Sequence, residues 1–342
     1  MNTPSPPAKA ATLHDVAKLA GVSLITASRA LGNPGIVSDK TRTRVEQAVV
    51  ETGYLPNLLA GGLKSKRSRM VAGIVPALAV SQFLPTVQTL TAALAQEGYQ
   101  LLLGQTFYDA RREEEVLNAM ISRQPDGIVM MGLVQSGNAR NRLRKTGIPV
   151  VETWDISERP VDMVIGFSHL KVGSAVAGYF LAKGVQRVGI ATGSDHRAMQ
   201  RREGFLAAWG RAVPTAVVPA PSTLELGRQA LGKLLDQDPA LQAVACSSDM
   251  LAQGVLVEAR ARGLRVPQDL AVAGFGNAEF SAHTLPSITT VHVDGPRIGQ
   301  LAAQLILERC RGVRSPQSVF DLGFTLIERE STTGAPAFIR TP

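Results

Sequence analysis

The stretch Thr12–Leu31, TLHDVAKLAGVSLITASRAL, constrains this chain more than any other, because it reads as two short helices meeting at a glycine. Val16, Ala17, Leu19 and Ala20 recur at helical spacing, Gly21 supplies the positive φ that ends a helix, and Ser23 is placed to cap the next one. The second helix is expected to present Leu24, Ile25, Ser28 and Arg29 outward near its N-terminus, with Ala27, Ala30 and Leu31 turned inward. A unit of this size fits the major groove of DNA. There Arg29 can bond bidentately to guanine, and the apolar Leu24 and Ile25 suit thymine methyl groups. Taken alone, the pattern also fits a helical pair packed in an ordinary core.

Ser38 opens a third helix, SDKTRTRVEQAVVETGYLPN, with Val45, Ala48 and Val49 inward, Lys40, Arg42 and Arg44 outward, and Pro56 closing it. Together the D-V-A-x-x-A-G-V-S, S-R, V-S and G-Y-x-P-N motifs resemble the headpiece of the lactose-repressor family of bacterial transcription regulators. The resemblance implies a DNA-facing set of Thr12, Ser23, Leu24, Ile25, Thr26, Ser28, Arg29, Asn33, Lys40, Thr41, Tyr54, Asn57, Ala60 and Leu63. In the family, the segment matching Asn57–Arg69 folds into a hinge helix only on operator DNA, where two such helices pry open the minor groove. Leu63 matches the wedging leucine, and Ala60 sits one turn before it. Gly61 and Gly62 depart from helix-favouring residues, each costing about 1 kcal/mol relative to alanine. The hinge of this chain is therefore costly to fold.

Charge supports a polyanion partner. The chain carries a net +8, and residues 1–70 hold ten Lys and Arg against four Asp and Glu, a net +6. Phosphate contacts release counterions and supply most of the non-specific affinity for DNA, so a basic module on a nearly balanced body suits that partner. At 342 residues and 45% hydrophobic content, the chain has room for a small module plus a large core. No apolar run reaches the length of a membrane span, and the Pro- and Ala-containing start lacks a signal-peptide pattern, so a cytoplasmic protein with no membrane partner is expected. Cys246 and Cys310 form no framework and are expected to be reduced, structural thiols.

Residues 1–11 read as a mobile tail, 12–57 as the headpiece, 58–69 as hinge and linker, 70–333 as a two-lobed core and 334–342 as a second tail. Within the core, β-branched runs such as VAGIVP, DGIVMMG, IPVVET, RVGIAT and AVACSS alternate with amphipathic segments, among them Phe83–Glu97, Arg111–Arg123, Val172–Ala182 and Met199–Trp209. Such runs bounded by helices mean parallel sheets covered on both faces. Two sets in series predict two doubly wound α/β halves behind the all-α headpiece, with a ligand crevice at the C-terminal ends of the strands. SITTVHV, near the end, is expected to be one more strand.

This core also resembles the family's sugar-sensing domain, which is similar to periplasmic binding proteins. The resemblance runs from Thr12 to about Thr333 and ends in R-E-S-T. G-I-P-V-V-E, V-x-x-G-F and D-L-G-F-T-L resemble the gluconate-operon repressors more narrowly. It implies a homodimer on double-stranded operator DNA, a carbohydrate effector of the sugar-acid class, and no cofactor. Arg201 matches the arginine that holds the ligand in the family, and its fork suits a carboxylate or vicinal hydroxyls. Arg197 and Arg202 read as solvated helix charges. Asp249 matches the aspartate of N-D-x-x-A, either touching ligand or capping the helix that follows. Gly276 stands where many relatives place a sugar-binding aspartate, and Asn277 is the neighbour that reaches the crevice or shapes the turn. Phe83 and Gln105 are expected to line the crevice, while Glu152 and Trp154 are divided between pocket and packing roles.

An enzyme of carbohydrate metabolism with an accessory headpiece is the competing class, since this fold also carries catalysts. The sequence holds no G-x-G-x-x-G, P-loop or H-E-x-x-H motif, and Gly166-Phe-Ser168-His169-Leu170 lacks the final glycine of a nucleophile elbow. His169 reads as a surface residue at a strand end or helix start. The five histidines and two cysteines have no metal-ligand spacing.

Overall fold

The computed structural model describes residues 11–55, 67–77 and 81–333; Pro56, Asn57, Ala60, Gly61, Gly62 and Leu63, with the hinge reading they carry, lie outside the described residues. The chain divides into two compact units, Met1–Ser68 and Arg69–Pro342.

In the first unit, α1 (Leu13–Ala20), α2 (Leu24–Gly32) and α3 (Asp39–Thr52) are each started by a hydroxyl side chain. Thr12 forms a reciprocal box with Asp15: the Thr12 N–H and Oγ1–H donate to Asp15 Oδ2 at 2.8 and 2.7 Å, and the Asp15 N–H donates to Thr12 Oγ1 at 3.4 Å. Ser23 and Ser38 accept from the N–H groups of Thr26 and Thr41. Gly21, at φ 62°, ends α1 in the left-handed conformation and lets α2 turn away. Val16, Ala20, Ala30, Val45 and Ala48 form the core that the three helices share. Leu19, counted in the apolar spacing, stands outside that core and is 51% exposed. Arg44, expected to point outward, turns its guanidinium back to the Ala20 and Gly21 carbonyls and closes the C-terminal end of α1.

The second unit has two α/β lobes. In the first lobe β1 (Met70–Val75), β2 (Gln100–Gln105), β3 (Gly127–Met130), β4 (Val150–Thr153) and β5 (Met163–Gly166) alternate with α4 (Leu84–Gln96), α5 (Ala110–Ile121) and α6 (Gly137–Thr146). The second lobe holds β6 (Val188–Gly193), β7 (Thr215–Val218), β8 (Ala243–Cys246) and β9 (Ala271–Ala273), with α7 (His169–Ala182), α8 (His196–Trp209), α9 (Leu224–Gln237) and α10 (Asp249–Ala261). Its sheet runs β7-β6-β8-β9 with every pairing parallel.

The halves do not follow one another in strict series. After β10 (Thr290–His292) the chain returns to the first lobe through α11 (Gly295–Cys310) and β11 (Val319–Asp321), and then enters β12 (Thr325–Ile327). β11 pairs parallel with β5, so the first sheet has six strands in the order β11-β5-β4-β3-β1-β2. SITTVHV does form a strand, β10, but it pairs antiparallel with β12 at the crossing. The core beneath the first sheet needs this return: Ile298, Ala302 and Ile306 of α11 cluster with Leu90 and Leu94 of α4. Thr86 Oγ1 donates to the Gly295 carbonyl across 209 residues of sequence.

Helices α7 and α8 approach backbone to backbone. A Cβ on Gly173 would stand 1.9 Å from the Arg201 carbonyl oxygen, and one on Gly204 would stand 2.0 Å from that of Leu170. No larger residue fits at either place. This contact brings the start of α7 against the middle of α8, where Arg201 lies.

Candidate DNA-reading face and effector cleft

The candidate reading face lies on the N-terminal turns of α2. Ile25 is 65% exposed and Leu24 47%, and Ser28 and Arg29 are exposed beside them, while Ala27 and Ala30 are buried. Two large apolar side chains left in water at a helix N-terminus have no use in a closed core, and they suit contact with base methyls. Thr26 is tied to Ser23 through their hydroxyls at 2.8 Å, which fixes the start of the helix. Asn33 follows α2 and is exposed, as are Thr12 and Lys40; Thr41 and Tyr54 are half-buried, with Tyr54 packed against the small core. Arg42 is held by Asp39 at 2.9 Å and by Glu46 at 3.7 Å. Of the three cations on this helix, Lys40 has the clearest access to a phosphate.

In the core unit a cleft of about 500 Å³ is lined by Gln82 and Tyr108 from the first lobe and by Arg197, Arg201, Ser247 and Phe275 from the second. The first residues of α9 and α10 and the cap of α8 also line it, so three helix N-termini open onto one space. Asp195, Thr223 and Ser248 each satisfy one N–H of these ends, and the remaining N–H groups with the helix dipoles favour an anion, which Asp195 already supplies at α8. The cations of the cleft are Arg197 and Arg201, against Asp195, Glu225 and Asp249, and Arg201 is the more closely held. Its Nη1 donates to His169 Nδ1 at 2.9 Å, its Nη2 donates to the Ser247 carbonyl at 2.8 Å, and its plane lies over the Phe275 ring, 4.0 Å from the centroid. Nε is shut away from solvent with no protein partner. Burial lowers the guanidinium pKa to about 10, with Asp195 opposing the shift, so the group stays protonated at neutral pH.

His169 is a correction to the sequence reading: it is buried, not a surface residue. Its Nε2 lies 3.0 Å from the Trp154 carbonyl, which can only accept. The proton therefore sits on Nε2 and leaves Nδ1 to accept from Arg201. Burial first, and then the Arg201 charge, push the imidazole pKa well below its ordinary value.

Arg197 is a second correction. Rather than a solvated charge, it is buried, with Nη1 donating across the cleft to the Met131 carbonyl at 3.2 Å and its guanidinium 5.0 Å from the Phe83 ring centroid. It also borders an adjoining chamber of about 230 Å³. Asp155 lines that chamber with Oδ1 accepting from the Ile156 N–H at 2.8 Å and Oδ2 buried without a partner. Burial raises the Asp155 pKa, the Ile156 bond and Arg197 opposing it.

The remaining candidates divide between cleft and frame. Asp249 borders the cleft, but its carboxylate is taken by Thr290 Oγ1–H at 2.6 Å and the Ala278 N–H at 2.7 Å. Burial, outweighing these bonds, raises its pKa to about 6. Ser248, not Asp249, caps α10. Gly276 lines the cleft at φ 120°, and Gln82 Oε1 lies 3.0 Å from where a Cβ would stand. Asn277, at φ 48°, accepts from Arg329 Nη2 at 2.7 Å and faces His292, so it shapes the turn and does not line the cleft. Phe83 is buried edge-on to Trp154, and its neighbour Gln82 is the residue that reaches the cleft. Gln105 ends β2 half-buried and lines neither chamber, its neighbour Thr106 reaching the smaller one instead. Glu152 is fully buried in the first lobe, accepting from the N–H groups of Val134 and Val161 and pairing with Arg140 at 3.2 Å. Trp154 has a packing role, its indole N–H bonded to Thr86 Oγ1 at 3.0 Å.

Residues 12–57 match the family description "Bacterial regulatory proteins, lacI family", and residues 177–332 match "Periplasmic binding protein-like domain". The chain is 36% identical over 327 residues to the HTH-type transcriptional regulator GntR of Pseudomonas aeruginosa, covering 94% of this chain and 95% of that one. The chain belongs to the lacI family. It is a DNA-binding transcriptional regulator and not an enzyme. The HTH-type transcriptional repressor CytR of Escherichia coli (strain K12) is 30% identical, covering 96% and 98% of the two chains. A solved lacI-family regulator from Silicibacter pomeroyi has 34% identity and a TM-score of 0.88, covering 94% of this chain and 99% of that one.

Against that family, sequence reasoning missed Tyr108, Asp155, Arg197 and Gln82. Arg197 precedes Arg201 by four residues, one helical turn, so both face the same way. That spacing was the available signal. Asp155 lies two residues past the end of β4, at a strand's C-terminal end, where a crevice residue belongs.

Proposed function

We propose that this lacI-family regulator is a homodimeric, cytoplasmic repressor whose operator binding is controlled by a sugar acid, gluconate or a keto-gluconate being the leading ligands. The observation that carries the effector class is Arg201: a protonated guanidinium held by His169 and Ser247 where three helix N-termini meet. An enclosed cation of this kind favours a carboxylate over a neutral ring, because a charge-assisted fork is stronger than bonds to neutral hydroxyls. A side-chain carboxylate at position 276 would oppose such a ligand, and the chain has glycine there, with Gln82 over it. The likeness to the regulator named GntR supports the same class.

On the DNA side, two copies of α2 would enter successive major grooves of a pseudo-palindrome, Arg29 bonding a guanine and Leu24 and Ile25 contacting methyls. Asn57, Ala60 and Leu63 would serve the minor groove between them. Closure of the lobes on ligand would reorient the hinge segments and release the operator. A neutral hexose is the second reading, favoured by the unpaired Asp155 Oδ2, which suits a hydroxyl donor.

Calorimetry with gluconate, 2-ketogluconate and glucose, paired with operator release measured by fluorescence anisotropy, tests the proposal. Sugar-acid binding that frees DNA is expected. Tight glucose binding with no response to either acid would overturn it.

A further inference from the structure

The two chambers of the crevice differ in the charge they offer. The larger holds Arg197 and Arg201 against Asp195, Glu225 and Asp249, whose carboxylates already accept from the Ala198 N–H, the Gln229 side chain and the Thr290 hydroxyl. The smaller is bordered by Asp109, Glu113, Asp155 and Asp195, against His196 and Arg197. Three of its four carboxylates already have local work: Asp109 and Asp195 cap α5 and α8, and Glu113 accepts from the Gln135 N–H at 3.2 Å. Asp155 is different. It is 2% exposed, and among the described residues its Oδ2 is the one carboxylate oxygen shut away from solvent without a partner. A buried acceptor in that state lacks a donor that a ligand can bring. Arg197, fastened to the Met131 carbonyl, borders both chambers. The smaller chamber has room for about seven water-sized groups.

From this polarity, and resting on the sugar-acid reading, we infer that Asp155 is a specificity-determining residue: the crevice takes an acid whose far end is a chain of hydroxyls and rejects one whose far end is a second carboxylate. The carboxylate of the ligand bonds Arg201, its chain runs past Arg197, and a terminal hydroxyl donates to Asp155 Oδ2 once a turn of the carboxyl group brings that oxygen, here closed to solvent, onto the chamber. A second carboxylate has no proton to donate at neutral pH, and it meets Asp155 in a site that water screens poorly. Monocarboxylic aldonates are therefore the ligand class, and aldarates of the same length are excluded.

The test is calorimetry on the full chain at pH 7.5 with D-gluconate and D-glucarate, which differ at the far carbon. Wild type should bind gluconate at least about tenfold more tightly than glucarate. Asp155→Asn, which keeps the shape and adds an N–H donor, should narrow that ratio by about tenfold, chiefly by tightening glucarate. Equal binding of the two acids by wild type, with both lost in Arg201→Ala, would overturn the role of Asp155 and leave the sugar-acid reading standing, as would an unchanged ratio in Asp155→Asn. Failure of both acids to bind wild type would overturn both.

Discussion

The proposed reading face of the headpiece and the proposed effector cleft are built in opposite ways. In the headpiece the exposed candidates Leu24, Ile25, Ser28 and Arg29 sit on one helix whose start is set by the local pair of Ser23 and Thr26. In the cleft Arg201 is aimed by His169, 32 residues distant, and by Ser247, 46 residues distant, while Arg197 reaches 66 residues back to Met131. The first is a surface made by local rules. The second exists only when two lobes, several helix ends and a pair of glycine contacts are all in place. A headpiece substitution should therefore act on DNA with little loss of fold, whereas cleft substitutions should separate into those that remove ligand and those that damage the frame.

The frame is where the largest effect is expected. Glu152→Ala leaves the Val134 and Val161 N–H groups and Arg140 without their buried acceptor. A loss of about 3–5 kcal/mol in urea unfolding is expected, with any folded protein keeping its ligand affinity within a few-fold. A ligand-specific loss without destabilisation would move Glu152 from frame to site.

Arg201→Ala comes next. Removing a charge-assisted fork should lower sugar-acid affinity roughly 100-fold, about 3 kcal/mol, in calorimetry, with operator affinity in the absence of ligand unchanged. A loss under about threefold would take Arg201 out of the contact. In the headpiece, Arg29→Ala should cost about 1–3 kcal/mol on the specific site and relax choice at one base pair, while Lys40→Ala should weaken all DNA alike and reduce the salt slope by about one. Anisotropy across a salt series separates the two, and wild-type behaviour in both would mean that α2 does not face the groove.

The smallest effect sharpens the geometry of the cleft. His169 is neutral when folded, its pKa depressed by burial and Arg201. Below about pH 6.5 the unfolded chain binds a proton that the folded chain refuses, so stability should fall with acid by at most about 1.4 kcal/mol per pH unit from this group. Asp249 acts in the opposite sense: with its folded pKa raised to about 6, the folded state holds the extra proton between about pH 4 and 6 and gains stability as pH falls through that window. Urea unfolding of wild type and His169→Gln from pH 7.5 down to 6 isolates the histidine. Equal slopes in the two proteins would show that His169 is not held neutral.

Features that depend on near neighbours could be read along the chain. Thr12 with Asp15, Ser23 with Thr26, the turn at Gly21 and the β-branched runs that became parallel strands all follow from interactions a few residues long. The arginine at 201 could be placed on the strength of a motif. Its surroundings could not. Whether a charge on a helix is solvated or buried depends on which element covers it, so Arg197 and His169 looked like surface groups until Met131 and Phe83 of the first lobe covered the one and Trp154, Arg201 and Phe275 enclosed the other. Glu152, Asn277 and Asp249 looked available because their partners come from distant segments: the Val134 turn, Arg329 and Thr290. The return of α11 and β11 to the first lobe was equally hidden. Periodicity records that a face is apolar, but only the competition among all apolar faces for cover decides which lobe receives it.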